Sequence, residues 1–154
     1  MEGATTAGAD IRRTSWWGTA VFTVSAVAAV AFSALRPLAV VVDVALFAFG
    51  CVAFGAAYFE GLARSRSERV AVTGLYFLSG SAPPDVRRSL LGALAVQVVV
   101  ALATSFARPY TSMAAGTLVP MFGLGLCGRW AARHGTFPPR DDLGPPGLST
   151  RPGR

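Results

Sequence analysis

The chain has 154 residues, is 53% hydrophobic and only 14% charged, and carries a net charge of +6 with arginine as its sole strong base. So apolar a composition excludes an ordinary water-solvated domain of this size and points to lipid as the main solvent. The arginines flank apolar stretches and are not interleaved with aromatics on one basic face, which argues against nucleic acid as a partner.

Residues 1–14 are small and polar and are expected to form a flexible tail ending near Arg12 and Arg13. A helix rises about 1.5 Å per residue, so crossing a hydrocarbon core about 30 Å thick takes roughly 20 apolar residues. Residues 16–35 meet that length, with Trp16 and Trp17 placed as interfacial anchors. A cleaved signal peptide is the rival reading, but its apolar region would be only about 7 to 15 residues long. Arg36-Pro37 then forms a tight turn, proline being tolerated where a helix starts. A second span follows at 38–59, interrupted by the single charge of Asp43.

The connection at 61–88 begins with a solvated basic run, Arg64 to Arg69. Val70, Val72 and Leu75 to Leu78 then form an apolar patch too short to span. It either lies in the membrane interface beside anionic lipid or packs on the helix bundle. Ser79-Gly80-Ser81 reads as a break, and Pro83-Pro84-Asp85 opens the next helix. A third span is expected at 89–107 and, beyond Arg108-Pro109, a fourth at 113–131. Residues 134–154, rich in Pro, Gly, Arg and Asp, are expected to be a disordered tail.

The expected fold is therefore all-α and polytopic: four transmembrane helices arranged as two helical hairpins. Twelve of the fourteen arginines fall on one side of that arrangement, leaving Arg36 and Arg108 for the other. Basic residues are retained in the cytoplasm, so both termini are expected there, in a multi-pass protein of the cell membrane. The turns Ser33-Ala34-Leu35-Arg36-Pro37 and Ser105-Phe106-Ala107-Arg108-Pro109 resemble one another. Duplication of a hairpin and a shared solution to a short outer turn both account for this.

Asp43 is the most informative side chain. A carboxylate inside the hydrocarbon costs about 2.5 to 3.5 kcal/mol on insertion scales and needs a partner, water or a proton. Arg36, seven residues earlier, shares its helix face; Arg108 approaches from the other turn; Gln97, with Thr104 and Thr117, supplies hydrogen bonds. These residues form the candidate intramembrane polar site. It reads either as an ion or proton site or as a polar link between the hairpins. Small residues recur at helical intervals, as Ser25, Ala29 and Ser33, then Gly50, Ala53 and Ala57, then Gly116, Gly123, Gly125 and Gly128. They suit close packing within the bundle or a homodimer face.

Cys51 and Cys127 are the only cysteines and His134 the only histidine, so no metal cluster, disulfide or cofactor is expected. No phosphate loop, zinc-binding His pair or nucleophile triad is spelled out, and no enzyme activity is expected. The segment from Pro120 to Gly128, followed by Ala132 to Arg140, resembles uncharacterised small four-helix integral membrane proteins of actinobacteria. That resemblance implies a plasma-membrane location and carries no catalytic residue. Small multidrug transporters also have four helices and one membrane acid, but theirs lies in the first helix. The expected role is an accessory or scaffold subunit of an inner-membrane assembly; the partners expected of the chain are the lipid bilayer and either another membrane protein or further copies of itself. The alternative is a small oligomeric transporter or channel using Asp43.

Overall fold

The computed structural model describes residues 8–107 and 112–139, and among these the regular structure is helical, with short irregular connections and one isolated bridge between Glu68 and Pro139. Helix α1 (Ala9–Ala31) starts before the apolar stretch, so Arg12 and Arg13 lie on its first turns and not in a tail. Phe32 ends it in extended backbone, and a 3-10 turn (Ser33–Leu35) leads into α2 (Arg36–Arg64) with Pro37 in the first turn. At 29 residues α2 is about 43 Å long, more than a hydrocarbon core, so its basic end projects beyond one. Short α3 (Val72–Tyr76) lies in the connection, and α4 (Pro84–Ala107) follows.

Three segments are long and apolar enough to cross a membrane: Ala9–Ala31, Ser33–Arg64 and Pro84–Ala107. The fourth expected span is built differently. A 3-10 stretch (Ser112–Leu118) precedes α5 (Pro120–His134), whose 15 residues reach only about 22 Å. Pro120 has no N–H to continue a helix from upstream, which separates the two pieces. Nor is α5 a surface helix. Phe122, Leu126, Cys127, Trp130 and Ala131 are all buried, and the long helices enclose it.

Glycine permits that enclosure. A Cβ on Gly50 of α2 would lie 2.5 Å from the backbone nitrogen of Phe122, and one on Gly125 would meet the Gly50 carbonyl. The α2 and α5 backbones therefore touch directly, which gives helices in lipid their contact energy. Further along, Gly128 faces the Tyr76 ring and Ala57. The small residues singled out in spans two and four thus pack inside the bundle.

The outer faces are apolar. Val24, Phe32, Val41, Val52, Phe59, Val99 and Phe106 are all exposed, and patches of this extent suit lipid far better than water. The connection sits on the bundle: Leu75, Tyr76 and Leu78 are buried, while Val72 and Phe77 stay exposed. Tyr76 stacks on Phe54 at 4.1 Å between centroids and donates its hydroxyl hydrogen to the Phe54 carbonyl at 3.1 Å.

Residues 135–139 lie against this connection. The Arg69 N–H donates to the Pro138 carbonyl (2.8 Å) and the Thr136 N–H to the Ser81 carbonyl (3.0 Å). Residues 140–154, the rest of the expected tail, fall outside the described residues.

Candidate functional site

Asp43 lies on the buried face of α2 and is 3% exposed. Its Oδ1 has no hydrogen-bond partner. The 3-10 stretch and α1 close over it: a Cβ on Gly116 would sit 3.7 Å from Asp43 Oδ2 and 3.5 Å from the Phe22 ring. The carboxyl group is thus enclosed by glycine backbone and an aromatic ring.

The other predicted members do not join it. Arg36 makes no ion pair with Asp43 among the described residues, and its Nε is itself buried without a hydrogen-bond partner. Seven helical residues separate the two by about 10 Å along the axis. Arg108 lies outside the described residues. Thr104 donates to the carbonyls of Val100 (2.8 Å) and Ala101 (3.2 Å) on its own helix, and Thr117 to that of Ala114 (2.6 Å).

Gln97, fully buried on α4, serves another part of the bundle. Its Nε2 donates to Thr19 Oγ1 at 2.7 Å, and its Oε1 accepts the backbone N–H of Gly123 at 3.2 Å. Thr19 in turn donates to the Ser15 carbonyl at 2.8 Å. The first four N–H groups of any α-helix lack a partner in the preceding turn, and Gly123 is the fourth residue of α5. Gln97 therefore caps the start of α5 from a neighbouring helix. Gly123 lies near the level of Gly50, two turns of α2 from Asp43, so the two polar places occupy depths about 10 Å apart.

The far end of α5 is capped the same way. Arg64, at the end of α2, donates to the carbonyls of Ala132 (3.0 Å) and Gly135 (3.0 Å). It also pairs with Glu68 at 2.8 Å, and its guanidinium lies 5.1 Å from the centre of the Phe137 ring. Beside it, Glu60 pairs with Arg129. These partners were not singled out from sequence. Thr19 and Glu60 carried a usable signal, as polar groups within or ending an apolar helix, but nothing local pairs them with Gln97 or Arg129.

Burial raises the Tyr76 hydroxyl above its ordinary value of 10.0, and nearby Tyr58 adds to the rise. Among the described residues, no three of His, Cys, Asp and Glu gather as metal ligands would. Cys51 is exposed and Cys127 buried, both as free thiols. The geometry offers two things: a central helix pinned at both ends, and one enclosed carboxyl group without a partner. Compared with known proteins, the chain matches no protein-family model, no curated protein and no solved structure.

Proposed function

We propose that the chain is a multi-pass integral protein of the cell membrane with both termini in the cytoplasm, acting as an accessory or scaffold subunit of a membrane assembly. In this reading the 3-10 stretch and α5 together make the fourth crossing, about 14 Å plus about 22 Å, and the helices form two hairpins. The orientation rests on arginine: Arg13 and Arg88 flank the Trp16–Ser89 contact (3.1 Å), while Arg64 and Arg129 hold the other pair of helices at the same end.

The observation that carries the scaffold reading is the pinning of α5. Backbone contact with α2 through Gly50 and Gly125, with Gln97 at one end and Arg64 at the other, fixes the helices against one another. A platform needs that rigidity, whereas alternating access needs one bundle to rock against another. Affinity purification of the tagged chain in mild detergent tests it. A membrane protein recovered at fixed stoichiometry is expected, and recovery of a homo-oligomer alone would overturn the reading.

A second reading, a small oligomeric transporter or channel, is favoured by Asp43. An ionisable side chain inside a membrane is a functional site by default, and the Oδ1 of this one has no hydrogen-bond partner among the described residues. In proteoliposomes, this reading expects a proton or cation flux above that of empty vesicles, abolished by Asp43→Asn. Equal fluxes for wild type and variant would remove it.

A further inference from the structure

Helices α1 and α2 do not pack along their whole length. They meet near the turn through Ala29 and Ala39, but farther along Phe122 of α5 stands between them, against Gly18 on one side and Gly50 on the other. On their outer side lies a cavity of about 430 Å³ open to the surroundings, running from Trp17 to Ala28 on α1 and reaching Leu38 and Val42 on α2. Its one polar side chain, Ser25, already donates its hydroxyl hydrogen to the Phe22 carbonyl at 2.9 Å. An occupant finds no free polar partner along this trough.

A charged side chain joins the lining at the arginine-rich end. A second cavity of about 340 Å³ is lined by Arg13, Trp16, Trp17 and Ala20, and so shares Trp17 and Ala20 with the first. Arg13 is exposed and makes no ion pair among the described residues; Asp10 lies one turn before it on the same helix. The Trp16 indole is held by its hydrogen bond to Ser89 at 3.1 Å. A fixed aromatic shelf, an exposed guanidinium with no ion pair among the described residues and a dry trough therefore adjoin at Trp17 and Ala20.

We propose that this groove binds an anionic phospholipid of the leaflet on the arginine-rich side, with an acyl chain along α1 and the phosphate at Arg13. Along α1 the trough is roughly 16 Å long from Trp17 to Ala28, enough for an acyl chain to pass the depth of one leaflet, about 15 Å, with Leu38 and Val42 closing its end near the Arg36-Pro37 turn. Charge separates this occupant from a second copy of the chain. A copy inserted the same way brings its own Arg13 to the same depth, where like charges oppose, whereas a phosphate meets the opposite sign. The proposal rests on α1 and α2 being membrane spans, which alkaline extraction of membranes tests separately: release of the chain would sink that reading itself.

Native mass spectrometry of the full chain in detergent, titrated with phosphatidylglycerol or with phosphatidylcholine of the same chains, tests the site. Phosphatidylglycerol should bind more tightly. Arg13→Gln should weaken it about fivefold and weaken phosphatidylcholine less, because the choline cation offsets that lipid's phosphate, and Arg13→Lys should restore the preference. Ala28→Phe, which fills the trough, should weaken both lipids. Arg13 is exposed, so its variants read the headgroup contact without touching the core. Equal binding of the two lipids by wild type, an unaltered preference in Arg13→Gln, or dimers that Ala28→Phe dissociates would each overturn the proposal.

Discussion

Two glycines, Gly125 on α5 and Gly55 on α2, have opposite uses, and the difference is measurable. Gly125 sits on the Gly50 carbonyl, so Gly125→Ala forces α2 and α5 apart. Overpacking of this kind costs about 1 to 3 kcal/mol. A Cβ on Gly55 meets nothing within 4 Å, and Gly55→Ala should gain up to about 0.5 kcal/mol from helix propensity. Unfolding titrations in mixed detergent micelles should place the two variants on opposite sides of wild type.

Tyr76 gives a pH dependence with a definite sign. The folded state holds the phenolic proton more tightly than the unfolded chain does, because burial disfavours phenolate. Stability from this group is therefore intact below pH 10 or so and falls as pH rises through the unfolded and then the folded value. Tyr76→Phe should lose about 1 kcal/mol at neutral pH, the net worth of its bond to Phe54. It should also show a shallower decline in thermal midpoint than wild type between pH 9 and about 11.

Among the elements, α5 depends most on its neighbours. Its 15 residues would be marginal as a helix in water, and its last carbonyls have no partners of their own. Arg64 meets one of them, that of Ala132, and the Gly135 carbonyl just beyond, while also lying over Phe137, a geometry that a planar fork of donors can satisfy and a lysine ammonium cannot. Arg64→Lys should loosen the end of α5 and residues 135–139 together. Hydrogen exchange should rise at Gly135 and Thr136 and stay unchanged at Val100, in the middle of α4. Equal protection at all three would show that the cap is dispensable.

The spans at α1, α2 and α4 were legible in the sequence because an apolar stretch of about 20 residues has one economical use. The element at 113–131 was not. Its hydropathy resembles that of its neighbours, and only packing reveals that Pro120 opens a short, enclosed helix. The partners of Gln97 were hidden for a related reason. Thr19 and Gly123 lie 78 and 26 residues away, and sequence spacing carries no information on which helices adjoin.

For the whole molecule, the arrangement of arginines predicts that reporters fused to either end are read from the cytoplasm. Protease-accessibility or alkaline-phosphatase fusions measure this, and opposite results at the two ends would overturn the proposed topology. The exposed apolar belt, from Val24 and Val41 to Val99 and Phe106, further predicts that the chain aggregates when detergent is removed. A scaffold and a transporter share these properties. They part at Asp43, which one reading leaves silent and the other makes essential.

Sequence by itself determined the helical class, three of the four apolar segments it marked as long enough to span, the concentration of arginine at their ends and the isolation of one acid among them. Those properties are set by composition along the chain and by the energy of moving it from water to lipid. Tertiary structure alone decided that α5 lies inside, that Gln97 and Arg64 cap it, and that Asp43 is enclosed without Arg36. Each of these depends on which helix faces meet in space; helical spacing marked Gly50 and Gly125 as packing residues, but that the two meet each other is decided only by the backbone contact between α2 and α5.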